Sequence, residues 1–165
     1  MSRAFVKEDA RAEAELVPPR APLPDGQPNL VTARGWRLLH DERDALEAER
    51  DRLQAAGAPL DVIEERLEEL TARIASAEVV AVDTRDAVVC FGAAVEVEVL
   101  GGPAPTVQRL AIVGVDEADP AAGRVAFVSP IAQALLGARV GDELDVEGSG
   151  RTRRWRIAGV TADED

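Results

Sequence analysis

Three carboxylates stand close together where two predicted helices meet: Asp61, Glu64 and Glu65. Asp61 and Glu64 are three residues apart, and side chains with that spacing lie on one face of a helix. Carboxylate oxygens are hard ligands of the kind that hard divalent cations take. The spacing therefore provides two carboxylates that can act together, while an exposed acidic helix start is the alternative interpretation.

The single histidine and the single cysteine add little further chemistry. His40 has no cysteine or acidic residue at a metal-binding spacing, and Cys90 lies in an apolar run that predicts a core residue. One cysteine excludes an internal disulfide and fits a reducing cytosol. We therefore predict no catalytic residue, no resident metal and no cofactor held by this chain alone.

Four arginines surround Trp155 in a predicted strand: Arg151, Arg153, Arg154 and Arg156. Alternation places Arg154 and Arg156 on one face and the other two with Trp155 on the opposite face. One interpretation is a surface for RNA phosphates or an acidic protein. The other is a solvated hairpin edge that its charge protects from aggregation.

The charge balance is strongly acidic, with 31 acidic against 19 basic residues and a net charge of −12. Binding to duplex nucleic acid requires a basic surface to neutralise phosphates, so autonomous DNA binding is not expected. A basic protein partner or a metal suits this charge better. A length of 165 residues fits one medium domain or two small ones.

No apolar run approaches the roughly 20 residues of a membrane span. The N-terminal sequence MSRAFVKEDARAEAE lacks the apolar centre of a signal peptide. These observations predict a soluble cytoplasmic protein that does not act at a membrane.

Residues 1–29 are predicted to be a flexible extension, because residues 17–28 contain five prolines and cannot form a core. The extension is interpreted as a disordered tail, with a short partner-docking motif in residues 2–9 as the alternative. It precedes two further predicted segments, residues 30–77 and residues 78–165.

Residues 30–77 are predicted to form an antiparallel helical hairpin, a coiled coil. Thr32 is the expected N-cap of the first helix, Gly57 its C-cap, and Pro59 is expected in the first turn of the second helix. Apolar residues recur at helical or heptad spacing on both helices: Trp36, Leu39, Leu46 and Leu53, then Leu60, Ile63, Leu67, Leu70 and Ile74. Arg43 and Arg50 fill seam positions of the first helix.

Residues 78–165 change to a period of two and predict a small α+β domain. The predicted strands are EVVAVD, AVVCFG, AAVEVEVL, QRLAIVGV, RVAFVS, DELDVEG and RTRRWRIAGV. One short helix begins at Ser129, with Pro130 at its first position. The expected arrangement is a curved antiparallel sheet with this single helix.

The segment IVGVDEADPAAGRVAFVSPIAQALLGARVGD, residues 112–142, resembles the C-terminal domain of Gre-type transcription elongation factors. Phe91-Gly92 adds to the resemblance, which extends over roughly residues 30–160. It implies an FKBP-like sheet domain after the hairpin. It also implies that the partner is bacterial RNA polymerase, whose secondary channel these factors enter.

By this resemblance, Ser129, Pro130 and Ile131 are the expected polymerase-binding residues, together with Asp116 and Asp119. The alternative for Ser129 and Pro130 is helix capping alone, and for the two aspartates the capping of turn amides. Some family members have an aspartate before the Ser-Pro pair, where this chain has Val128.

Gre factors carry acidic residues at the hairpin tip, which hold a second Mg²⁺ jointly with polymerase and promote cleavage of backtracked RNA. Asp61, Glu64 and Glu65 are the matching candidates, but the family's longer tip motif is absent from AAGAPLDVIEER. The hairpin is also shorter than in cleavage-competent members by roughly two heptads per helix, and each heptad spans about 10 Å.

The first hypothesis is therefore a regulator, not an enzyme, that binds the polymerase secondary channel as a monomer and has no strong cleavage activity. The second is a transcript cleavage factor that uses the tip carboxylates with Mg²⁺. The third is an adaptor unrelated to polymerase, which dimerises through the apolar stripe Leu60–Ile74.

Overall fold

The computed structural model describes residues 20–148 and 150–163, which form two compact units. The first unit is Leu38–Ser76 with residues 20–22. The second is Leu23–Arg37 with the described residues after Ser76. Residues 1–19, most of the predicted extension and all of its alternative docking motif, lie outside the described residues.

Two helices dominate the predicted hairpin segment: α1, Ala33–Ala55, and α2, Asp61–Ala75. Thr32 caps α1 as predicted, since its Oγ1 accepts a hydrogen bond from the Gly35 N–H at 3.0 Å. Gly57 ends α1 in the left-handed region, with φ 66°. The N–H of Ala58 donates to the Leu53 carbonyl at 2.9 Å, which completes a Schellman turn.

Pro59 was predicted to lie in the first turn of α2, but it lies before the helix. Leu60 is the N-cap residue of this helix and Asp61 begins it. The Schellman turn uses residues up to Ala58, so the chain needs Pro59 and Leu60 to reverse direction before the helix starts.

The apolar stripes of both helices are buried where they were predicted. Leu39 and Leu46 of α1, and Ile63 and Leu70 of α2, are buried at a spacing of seven residues. The flanking stripe residues are half-buried: Trp36, Leu53, Leu60, Leu67 and Ile74. The connection between the two helices, residues 56–60, is five residues long.

The second unit contains a five-stranded sheet. Its strands are β3, Ala93–Val99; β4, Thr106–Val113; β5, Arg124–Ala126; β6, Glu143–Gly148; and β7, Arg151–Ala162. They lie side by side in the order β5-β4-β3-β7-β6. The pairs β3–β4, β3–β7 and β6–β7 are antiparallel. β5 pairs with β4 in parallel, so the prediction of an entirely antiparallel sheet was wrong. Two 3₁₀ turns, Val115–Glu117 and Pro120–Ala122, bring the chain back beside Ala111, so that β5 runs parallel to the last three residues of β4.

Two predicted strands are largely absent. EVVAVD, residues 78–83, contributes only to β2, Ala77–Val79, which pairs in parallel with the unpredicted β1, Asn29–Val31. AVVCFG, residues 87–92, forms one isolated bridge between Val88 and Arg139. The apolar run in this segment reflects burial in the core, where Val89 lies, and not pairing in the sheet.

The core lies on one face of the sheet, under the third helix, α3, Pro130–Leu135. Val95, Ile112 and Ile157 contribute from the strands, and Ala132 and Leu135 from α3, all essentially fully buried. Phe91 packs edge-on against Phe127 with ring centroids 5.6 Å apart. The molecule is therefore a mixed α+β protein, as predicted. Cys90, predicted as a core residue, is only half-buried.

Candidate functional site

The start of α3 is built by Ser129. Its Oγ accepts a hydrogen bond from the Ala132 N–H at 3.2 Å, and Pro130 occupies the first helical position. The Ser129 N–H donates to the Ala126 carbonyl at 2.9 Å, which fixes the helix start to the end of β5. The predicted capping role is therefore present, and it orients whatever this turn presents to a partner.

Pro130 is exposed, whereas Ser129 and Ile131 are half-buried. Ile131 packs against the core, while Ala132 and Leu135 anchor the helix inside it. A proline exposed at a rigid helix start presents apolar surface with little conformational freedom to lose on binding. Pro130 is thus the predicted binding residue with the surface best suited to a protein contact.

Asp119 caps the turn Pro120–Ala122. Its Oδ1 accepts hydrogen bonds from the N–H groups of Ala121 at 3.1 Å and Ala122 at 3.3 Å. Its backbone exchanges two hydrogen bonds with Arg124, both 2.9 Å long, at the start of β5. Asp116 is half-buried in the preceding turn. Asp119 and Ser129 therefore mark the two ends of one short strand.

Glu117 lies in the segment 112–142 but was not predicted to be a functional residue. It is buried, although glutamate is almost never buried without partners. Its carboxylate meets Thr32 at the start of α1, 85 residues earlier in the chain. No local spacing signals a contact of this range, and the sequence clue is an acidic residue four positions after a strand whose last three residues are buried.

The arginine run divides as strand alternation predicted. Trp155 is buried. On the opposite face Arg154 and Arg156 pair with acids of neighbouring strands. Hydrogen bonding to Asp145 raises the pKa of Arg154, and hydrogen bonding to Glu143 raises that of Arg156. Both guanidinium groups pair with acids across the outer face of the sheet, at 3.1 Å for Arg154 with Asp145 and 2.6 Å for Arg156 with Glu143.

The tip carboxylates belong to the first unit. Asp61, Glu64 and Glu65 are exposed at the start of α2, where they suit the positive end of the helix dipole. Among the described residues, no group of three or more His, Cys, Asp or Glu side chains could hold a metal ion.

No helix in the described ranges is long and apolar enough to cross a membrane.

Comparison with known proteins identifies a family match within the second unit and longer matches to individual relatives. Residues 84–162 match the family model described as transcription elongation factor GreA/GreB, C-terminal domain. GreA of Methylococcus capsulatus is 40% identical over 110 residues, which cover 65% of this chain and 68% of that protein. GreA of Desulfovibrio desulfuricans is 32% identical over 152 residues, covering 79% of this chain and 92% of that protein.

Among solved structures, the GreA factor homolog 1 (Gfh1) protein of Thermus thermophilus matches with 24% identity and a TM-score of 0.41. That match covers 82% of this chain and all of the Thermus protein.

The Desulfovibrio alignment also contains a length difference. It spans 152 residues, whereas 79% of this 165-residue chain is about 130 residues. About 22 aligned positions of that relative therefore have no counterpart in this chain.

Proposed function

Because the chain belongs to the GreA/GreB family of transcription elongation factors, we propose that it binds bacterial core RNA polymerase at the secondary channel and regulates transcription without strong cleavage activity. The observation that carries this proposal is that the family match covers the unit with the exposed Pro130 at a rigid helix start. In this proposal Ser129, Pro130 and Ile131 form the contact, and Asp116 and Asp119 extend it past β5.

The same proposal assigns a fold to each unit and a role to each segment of the chain. The second unit is FKBP-like, and the hairpin is a coiled coil, which the buried residues seven positions apart support. Residues 1–29, 30–77 and 78–165 act as extension, arm and docking domain. The protein is a cytoplasmic monomer that acts by occupying the channel, with effects on NTP access, on initiation or on other channel factors. It holds no cofactor of its own.

The short arm supports a regulator over a cleavage factor. α1 has 23 residues and α2 has 15, which correspond to about 34 Å and about 22 Å of helix. This chain also lacks about 22 positions that the Desulfovibrio protein has in the alignment, as expected if the arm is shorter. Because phosphoryl chemistry tolerates misplacements of only about 1 Å, a shortened arm leaves its carboxylates out of reach.

A competition experiment tests the binding proposal. We expect the wild-type chain to displace a fluorescently labelled Gre factor from bacterial core polymerase. Pro130→Glu should weaken this competition at least about tenfold, because a charge replaces the apolar centre of the contact. Val107→Glu, at an exposed valine of β4, is the matched control and should compete like wild type. Absence of competition by the wild-type chain would overturn the proposal.

Transcript cleavage remains the second candidate because Asp61 and Glu64 are exposed on one face of α2. A stalled, backtracked polymerase complex distinguishes the two functions. Release of short 3′ RNA fragments on addition of the chain, abolished by Asp61→Ala, would establish cleavage. We expect no such release above the rate of polymerase alone.

A further inference from the structure

Glu117 joins the sheet to the start of α1. Its Oε1 accepts a hydrogen bond from the Thr32 hydroxyl at 2.7 Å, and its Oε2 accepts from the Thr32 N–H at 3.3 Å. Oε2 also lies 3.4 Å from the Gly114 N–H, and the Arg34 guanidinium is 3.8 Å from Oε1. The Glu117 side chain is only 1% exposed. A carboxylate this deeply buried is stable only when its oxygens are bonded in this way.

Thr32 links this carboxylate to the helix itself. The same hydroxyl that donates to Glu117 accepts from the Gly35 N–H, so the cap of α1 and the sheet share one side chain. An isolated N-cap needs only the second of these bonds. The first bond, between residues far apart in sequence, gives the cap a role beyond ending the helix.

Gly35 permits the close approach. A Cβ at this position would lie 2.4 Å from the Glu117 Oε2, so any other residue would displace the carboxylate. Glycine is among the least favourable residues for a helix interior, and position 35 is within the first turn of α1. The helix therefore accepts a poor residue where the carboxylate must fit.

We propose that Thr32, Gly35 and Glu117 form a positioning latch, which holds the first turn of α1 against the turn Val115–Glu117. The regulatory effect on transcription depends on this latch, while polymerase binding does not. The inference rests on the proposed function. The latch affects only the effect of the arm on transcription, and the proposed contact at Pro130 is unchanged.

Two variants open the latch in different ways. Thr32→Val removes the shared hydroxyl and keeps the side-chain shape. Gly35→Ala displaces the carboxylate but improves helix propensity. Both should speed amide hydrogen exchange in residues 33–37 about fivefold, the change expected from losing one cap hydrogen bond. Exchange in β3 and β7 should not change.

Both variants should bind core polymerase within about twofold of wild type, yet lose a measurable part of the effect on transcript yield. Thr32→Ser restores the hydroxyl and should restore the effect. Thr71→Val is the matched control, because it removes an exposed hydroxyl that donates only to the Leu67 carbonyl.

The outcomes separate the two proposals. If Thr32→Val and Gly35→Ala regulate like wild type, or if they lose binding together with the effect, the positioning role is wrong. Greater activity of Gly35→Ala would also contradict it, because that result follows from helix propensity alone. If the wild-type chain does not bind polymerase, the proposed function fails, whereas the hydrogen-exchange result still tests the latch contact itself.

Discussion

Single side chains at the predicted binding surface also have structural duties. Ser129 caps α3, and Asp119 caps the turn before β5 through two backbone N–H groups. A substitution at either residue therefore changes local structure as well as any partner contact. Isosteric variants are needed to tell these effects apart, because an alanine scan removes both at once.

Asp119 offers the sharper test at this scale. Asp119→Ala should lower the free energy of unfolding by about 1 kcal/mol through loss of the cap, while Asp119→Asn keeps the acceptor and should cost less than about 0.5 kcal/mol. Urea unfolding followed by circular dichroism gives both values. If the charge itself contacts polymerase, Asn and Ala should weaken binding equally. Binding retained by Asp119→Asn alone would assign the residue a purely structural role.

At the level of elements, each long helix owes its place to a few buried residues. Leu39 and Leu70 are at most 2% exposed, whereas Leu38 is 41% exposed although it neighbours Leu39 in the chain. The charged seam residue Arg43 is half-buried and pairs with Asp44 at 2.9 Å. Helical periodicity therefore distinguishes residues that pack in the interior of the helical segment from residues that face solvent.

The adjacent leucines provide a matched pair. Leu39→Ala should cost about 2–5 kcal/mol of unfolding free energy, because it removes a fully buried side chain and leaves a cavity. Leu38→Ala should change the stability by no more than about 0.5 kcal/mol. Chemical denaturation monitored by helical circular dichroism measures the difference. Similar costs for the two variants would show that the stripe of α1 is assigned to the wrong face.

For the whole molecule, the net charge and the burial of the apolar stripe of α2 predict which partners the protein binds. The chain carries a net charge of −12, and two of its eight C-terminal-segment arginines, Arg154 and Arg156, are paired across the sheet. The stripe proposed for self-dimerisation is used inside the chain, since Ile63 and Leu70 are buried without a second copy. Both observations favour a protein partner over DNA or a second copy.

We therefore expect a single species of 17.6 kDa in sedimentation equilibrium at micromolar concentration. We also expect no change in the fluorescence anisotropy of a labelled DNA duplex at physiological salt, because a chain with a net charge of −12 is repelled by the phosphates. A dimeric mass would support the adaptor hypothesis. Saturable DNA binding would contradict the expectation that the partner is a protein.

Several features were determined by the sequence alone. The apolar spacing of α1 and α2, the caps at Thr32, Gly57 and Ser129, and the resemblance around residues 112–142 are local patterns, and each is set by residues within a few positions of one another. For the same reason the family was predictable, and the polymerase-binding residues could be nominated by position. Their role in binding stays a prediction.

Tertiary structure alone decided the features that depend on distant residues. The parallel pairing of β5 with β4, the loss of the predicted strand at residues 87–92, and the burial of Glu117 all follow from contacts that local spacing does not encode. The carboxylates at Asp61 and Glu64 have the spacing of a chemical pair, yet the fold leaves them exposed with no third ligand among the described residues. Glu117 drew no chemical prediction, but the fold surrounds it with donors from Thr32 and Gly114. The role of a carboxylate depends on which hydrogen-bond donors replace its hydrating water molecules, and only the folded chain brings those donors together.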